Sequence, residues 1–218
     1  MKREEKIQLF QHIDLYPVTC ERLSQGRSNL EVLRAVIQGG SKIIQLREKN
    51  YSKRDLYYLA LKFREITTRA GVLLIINDHL DIALAVDADG VHLGQEDLPV
   101  QAARRLASEL LIGASSHSLE QALQAQKDGA DYINIGPIFS TKTKEGVESV
   151  LGPETIAKIS PQIRVPFTVM GGINEENIDQ VLAYGARRVA MVTAITKAAD
   201  ITAKVKSLKE KIRGFSGC

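Results

Sequence analysis

Short β-branched runs alternate with longer stretches of helical period eight times along this chain, and that alternation restricts the fold more than any other feature. The strand-like runs are 14–20, 42–48, 72–78, 90–94, 111–115, 132–138, 165–171 and 188–194. Amphipathic stretches of helical spacing separate them, among them 29–38, 53–69, 119–128 and 201–212. Gly39-Gly40, Gly71, Gly129-Ala130 and Gly185-Ala186 stand where a helix should stop before the next strand begins. Parallel strands joined by right-handed helical crossovers need cover on both faces, and eight of them close into a ring with its chemistry at the C-terminal strand ends. The expectation is an α/β chain folded as a single (β/α)8 TIM barrel over residues 14–218, preceded by a short N-terminal extension, residues 1–13. An open doubly wound sheet is the alternative. One that bound a dinucleotide would carry Gly-x-Gly-x-x-Gly after its first strand, and the segment 21–26 has no such turn.

Composition narrows the class of function. With 218 residues, 44% apolar and 25% charged, the chain suits one soluble domain, and no stretch is apolar for long enough to cross a bilayer. Its mixed-charge start, Met1-Lys2-Arg3-Glu4-Glu5-Lys6, lacks the apolar core of a secretion signal, so a cytoplasmic location is expected. Cys20 and Cys218 have no metal-binding spacing and read as free thiols. A net charge of +3, with Lys204, Lys206, Lys209, Lys211 and Arg213 on one helical stretch, reads as a solvated face and gives no sign of nucleic acid. No helix is apolar all round, which leaves a homo-oligomer open.

Within 42–49, Gln45, Arg47 and Lys49 occupy every second position, so in a strand their side chains leave one face while Ile44 and Leu46 leave the other. Arginine's planar fork and lysine's point charge suit phosphate oxygens; a wet edge strand is the competing account. Other polar groups fall at the ends of neighbouring runs: Asn77 and Asp78 after the third, Asp97 just past the fourth. Adjacent strands lie about 4.8 Å apart, which lets Asp78 and Asp97 approach one ion. Two bare carboxylates roughly 4 Å apart repel by about 4 kcal/mol at an effective dielectric of 20. A hard divalent cation removes that cost, and few protein oxygens suit Mg2+, which completes its shell with water and substrate phosphate. The alternatives are a helix N-cap for Asp78 and a turn residue before Pro99 for Asp97.

Ser115-Ser116-His117 ends the fifth run without a nucleophile elbow, and adjacent residues point apart; hydroxyl donation to a ligand or a helix cap is expected there. His92 alternates inside an apolar strand and reads as a hydrogen-bonded core residue. The loop after the sixth run holds Thr141, Lys142, Thr143 and Lys144, hydroxyls and cations able to close over phosphate. Gly171-Gly172 permits close backbone approach after the seventh, and Val192-Thr193 can add amide donors at the eighth, the two loops where this barrel commonly seats phosphate. Two anion sites follow, one cationic and metal-assisted, the other built of amides.

In this order, Gln45-Leu46-Arg47-Glu48-Lys49, Asn77-Asp78, Gly90-Val91-His92-Leu93-Gly94-Gln95-Glu96-Asp97, Gly136-Pro137-Ile138-Phe139-Ser140-Thr141-Lys142-Thr143-Lys144 and Gly171-Gly172-Ile173 closely resemble the thiamine phosphate synthase family, from about residue 14 to 199. The resemblance implies a transferase that joins a hydroxymethylpyrimidine diphosphate to a thiazole phosphate, giving thiamine monophosphate and pyrophosphate. It also implies that Gln45, Arg47 and Lys49 hold the diphosphate, that Asn77, Ser115 and Lys144 contact the same substrate, and that Asp78 and Asp97 carry Mg2+. Thr141, Thr143, Gly172, Val192 and Thr193 match the positions around the thiazole phosphate. The implied mechanism is dissociative, with Arg47, Lys49, Lys144 and Mg2+ stabilising the departing diphosphate. Met170 and Thr193 stand where the family often has a smaller aliphatic residue and a serine. A thiazole tautomerase of the same superfamily and a silent phosphate-binding regulator are the competing functions.

Overall fold

The structure is a computed structural model that describes residues 1–141 and 150–215. Its strands are β1 (Leu15–Pro17), β2 (Ile43–Leu46), β3 (Leu73–Asn77), β4 (Gly90–Leu93), β5 (Leu111–Ser116), β6 (Tyr132–Ile135), β7 (Phe167–Val169) and β8 (Val189–Met191). All pair in parallel, in the order β1-β8-β7-β6-β5-β4-β3-β2. A parallel bridge between Val18 and Gln45, with Thr19 N–H donating to Gln45 O at 2.9 Å, joins the two ends of that order and closes the ring. The (β/α)8 barrel expected from the alternation is the fold observed.

Alternation along each strand divides the apolar residues into two cores. Leu74 and Ile76 of β3 point outward, with Ile44 and Leu46 of β2, into a layer shared with the helices. Leu73 and Ile75 point inward with Ile43, Leu111, Tyr16 and Tyr132 and fill the barrel interior. The helices are α1 (Arg3–Gln11), α2 (Asn29–Gln38), α3 (Lys53–Ala70), α4 (Leu80–Ala85), α5 (Val100–Leu106), α6 (Leu119–Lys127), α7 (Glu154–Ile159), α8 (Ile178–Ala183), α9 (Thr193–Thr196) and α10 (Ile201–Gly214). Their starts follow local chemistry. Ser28 accepts Glu31 N–H while Glu31 accepts Ser28 N–H, a reciprocal cap on α2, and Ser52, Ser118 and Asp200 cap α3, α6 and α10. The glycines named as stops follow: Gly39 and Gly71 are the C-terminal caps of α2 and α3, and Gly129 and Gly185 come one residue after those of α6 and α8.

The lead-in is the helix α1, laid across the N-terminal ends of the strands. Phe10 and Ile13 insert into the interior core. Lys6 Nζ donates to Glu109 O at 2.9 Å, and Arg3 pairs with Asp131 at 2.7 Å. At the same end Asp14, buried, receives Lys209 of α10 at 2.8 Å and Arg213 at 2.6 Å. With α1 blocking this end, the opposite rim is where the strand ends open.

Several strands are shorter than the runs that announced them: β2 ends at Leu46, not 48, β6 at Ile135, and β7 at Val169. Beyond Leu46 the backbone leaves the ladder because Arg47 N–H donates to the Thr19 hydroxyl at 3.0 Å and Glu48 turns inward to accept Glu21 N–H at 2.8 Å. Strand β8 stops at Met191, and the predicted strand end at 193–194 is instead the start of α9. Cys20 is a free, buried thiol; Cys218 lies outside the described residues. Among the described residues no helix is long and apolar enough to cross a membrane.

Candidate active site

A cavity of about 900 Å³ opens at the C-terminal rim of the barrel. Gln45, Arg47, Lys49, Asn77, Asp78, Asp97, Ser115, Thr141, Gly172, Val192 and Thr193 all line it. Thr143 and Lys144, also expected at the site, lie outside the described residues. Residues from across the sequence meet here because each lies in the last residues of, or in the segment after, a parallel strand, and parallel strands all end on one side.

The β2 to β4 side is charged. Lys49 Nζ donates to Asp78 Oδ2, and Asp97 Oδ2 accepts Gly94 N–H at 2.6 Å. Burial, together with the neighbouring Asp78 carboxylate, pushes the Asp97 carboxyl above the usual carboxylate range. Asp78 does not cap α4, whose N-cap is His79 without a side-chain bond. Its backbone is left-handed, φ +63°, and its N–H donates to His92 O at 2.8 Å, which turns the carboxylate to the rim beside Lys49. Asp97 is both the turn residue and a cavity residue. Two adjacent oxygen donors with water access fit a hard divalent ion completed by substrate oxygens; among the described residues no group of three or more metal-ligating side chains would hold one alone.

The opposite side is built of backbone. Gly171 and Gly172 have φ of +108° and +64°. A Cβ on Gly171 would come within 2.5 Å of the Pro137 ring, and one on Gly172 within 2.4 Å of Ser140 O, so both positions exclude a side chain for space as well as conformation. Asn177 Nδ2 donates to Gly172 O at 3.0 Å and holds the turn from behind. Val192 is the N-cap of α9, its carbonyl accepting Ile195 N–H at 3.0 Å and Thr196 N–H at 2.9 Å, which leaves the Thr193 and Ala194 amides without an intrahelical partner; Met170 also lines the cavity.

Between the two sides His92 reaches the cavity, a role its apolar strand did not announce. Its Nε2 lies 3.0 Å from Ser115 Oγ, and its Nδ1 lies 3.1 Å from the Tyr132 hydroxyl. Ser116 turns away to donate to Asn134 O at 3.2 Å, and His117 bonds to Gly136 O, so the adjacent Ser-His pair is split as expected. Although Ser115, His92 and Tyr132 are spaced like a nucleophile with its base, the third member is a phenol and not a carboxylate. Asn134 and Lys197 are further cavity residues that the sequence reading missed. Lys197 follows a helix too short to show a period.

Glu48 supports the cationic side from behind. Burial pushes its carboxyl above the usual range, offset in part by the Glu21 amide. The folded protein therefore holds this proton more tightly than the unfolded chain does. The stabilising contribution is complete below the unfolded value of about 4.3 and is lost as pH rises through the raised one. Glu48→Gln keeps an oxygen for Glu21 N–H, so its melting temperature should exceed the wild type's by about 2 °C at neutral pH and match it near pH 3.5. A variant less stable than wild type at neutral pH would refute the assignment.

The profile of the family described as thiamine monophosphate synthase matches residues 15–195. The chain belongs to this family. It is 44% identical over 216 residues to the thiamine-phosphate synthase of Caldicellulosiruptor saccharolyticus, covering 99% of this chain and 98% of that one. It is 49% identical over 197 residues to the thiamine-phosphate synthase of Pelotomaculum thermopropionicum, covering 90% of each. The solved thiamine phosphate pyrophosphorylase from Pyrococcus furiosus superposes with a TM-score of 0.85 at 37% identity, over 93% of this chain and 96% of that one. Membership makes the chain a transferase of thiamine biosynthesis, as its motifs implied.

Proposed function

We propose that the chain joins 4-amino-2-methyl-5-hydroxymethylpyrimidine diphosphate to a thiazole phosphate, forming thiamine monophosphate and releasing pyrophosphate. One observation supports the reading: a single cavity is lined on one side by Arg47 and Lys49 beside Asp78 and Asp97, and on the other by the Gly171-Gly172 turn beside Val192 and Thr193, two sets of groups that we read as separate seats for anions. An isomerase of one phosphorylated thiazole needs only the second seat. On this reading the substrates are small phosphorylated molecules, and the chain works in the cytoplasm without a nucleic-acid or membrane partner.

The Arg47 fork and Lys49 hold the diphosphate, with Gln45, Asn77, Ser115 and Lys144 completing its contacts. As the carbon–oxygen bond lengthens, negative charge accumulates on the leaving diphosphate, and cations already in place stabilise that state more than the ground state. Asp78 and Asp97 would hold Mg2+, which supplies further positive charge to the diphosphate when bound. The aminopyrimidine stabilises its own methylene cation by electron donation from the ring. No protein nucleophile is then needed, in keeping with the phenol behind His92. Thr141, Thr143, Gly172, Val192 and Thr193 hold the thiazole phosphate so that the ring nitrogen faces the methylene carbon and closes the new bond.

Purified protein mixed with both substrates and Mg2+ should yield thiamine monophosphate, detected by mass. No product under any condition eliminates the transfer. Asp78→Ala and Asp97→Ala should each slow turnover by about 10- to 1000-fold. Added Mg2+ should raise the melting temperature of the wild type and leave that of the doubly substituted protein unmoved; an equal rise in both would remove the ion from these carboxylates.

A further inference from the structure

Beneath the cavity floor lie two tyrosines that do not line it. Tyr16 of β1 and Tyr132 of β6 are 1% and 0% exposed. Gln45 Nε2 donates to the Tyr16 hydroxyl at 3.0 Å, and the two tyrosine hydroxyls are 3.0 Å apart. Tyr132 then meets His92 Nδ1 at 3.1 Å, and His92 Nε2 meets Ser115 Oγ at 3.0 Å. A continuous chain of hydrogen bonds thus crosses the barrel interior from one substrate-facing residue to another. The rings are held for this purpose: Phe10 stacks on Tyr132 at 4.1 Å, and a Cβ on Gly113 would fall 2.0 Å from Tyr132 Cζ.

Counting protons gives the chain a direction. An amide nitrogen has only hydrogens to offer, so the Tyr16 oxygen accepts from Gln45 and its single hydrogen passes to Tyr132. That order has Tyr132 donate in turn to Nδ1, which puts the single ring hydrogen of a neutral His92 on Nε2, directed at Ser115, and leaves the serine hydrogen to point elsewhere. Burial pushes both phenols up, so neither gives up its proton at any working pH. Rotating the Gln45 amide by half a turn would reverse every bond, so that Ser115 donates to His92 and keeps only lone pairs for the cavity.

We infer that Tyr16 and Tyr132 are positioning residues which, acting through His92, commit Ser115 to donate its hydroxyl hydrogen into the cavity. This rests on the transfer reading, because diphosphate oxygens only accept, and a serine committed to accepting would face them lone pair to lone pair.

Tyr132→Phe and Tyr16→Phe remove one oxygen each and keep the ring. In the free wild-type protein, 15N NMR of the four histidines, with His92→Gln for assignment, should find His92 as the Nε2–H tautomer. In Tyr132→Phe that tautomer should become mixed. Turnover should fall about 10-fold in Tyr132→Phe, with the thiazole phosphate KM changed less than about 2-fold. The double variant Tyr132→Phe/Ser115→Ala should be no slower than Ser115→Ala alone, because both changes act on one hydroxyl. A wild-type His92 carrying its hydrogen on Nδ1, or losses that multiply in the double variant, would overturn the inference. Tyr16→Phe gives a second variant should Tyr132→Phe not fold, and it should also lower turnover. The tautomer is read without substrate, so it decides the proton order even where the wild-type chain makes no product, a result that would count against the transfer reading instead.

Discussion

Arg47→Ala should slow turnover by about 10²- to 10³-fold, the size of effect seen when one preorganised charge stabiliser is removed. The arginine side chain lines the cavity while its own N–H is fixed by the buried Thr19 hydroxyl at 3.0 Å. The loss should therefore be that of the guanidinium and not of the loop. Affinity for the pyrimidine diphosphate should fall with it, and the KM for the thiazole phosphate should change little, since that seat is made by the glycine turn on the far side. Arg47→Lys should recover only part of the rate, because an ammonium cannot make the two parallel bonds of the fork. Steady-state kinetics with each substrate varied in turn decides the matter. An equal loss of affinity for both substrates would break the two-seat map.

The largest effect on stability should come from Asp131→Ala. This carboxylate, 1% exposed, accepts Ile112 N–H at 2.8 Å and pairs with Arg104 at 2.5 Å and Arg3 at 2.7 Å. It ties α1 and α5 to the adjoining starts of β5 and β6. Truncation leaves a half-buried guanidinium without its counter-charge and a buried amide without its acceptor, together about 3–5 kcal/mol. For a chain of this length that amounts to a fall of about 6 to 20 °C in melting temperature. Asp131→Asn should lose less, since its oxygen still serves Ile112. A thermal melt within about 2 °C of wild type for Asp131→Ala would show that the cluster contributes nothing net.

Much of this architecture is legible locally. Glycine stops, serine caps and alternating apolar residues all act within a few positions of one another, so the eight strand–helix units could be counted before any coordinates. The spacing of Gln45, Arg47 and Lys49 pointed to one polar face, and all three line the cavity. The reason differs in part from the expected one, because the strand ends at Leu46 and two loop hydrogen bonds, Arg47 N–H to the Thr19 hydroxyl and Glu21 N–H to the Glu48 carboxylate, orient the remainder. Strand ends were the weakest reading for the same cause: alternation persists into a loop when distant groups hold that loop extended.

His92 shows where local pattern stops being informative. Its place in an apolar strand correctly marked it as hydrogen-bonded and mostly buried, yet its partners, Ser115 and Tyr132, are 23 and 40 residues away. Side-chain order along the backbone follows from short-range sterics and periodicity, and these specify which face each residue takes. Which residues then touch across the interior depends on the register of all eight strands and on closure between β1 and β2, and no segment contains that information alone. The barrel and many of its rim residues were therefore present in the chain itself, whereas the placing of His92, Asn134 and Lys197 at that rim, and the hydrogen-bonded path from Gln45 to Ser115, exist only once the ring is shut.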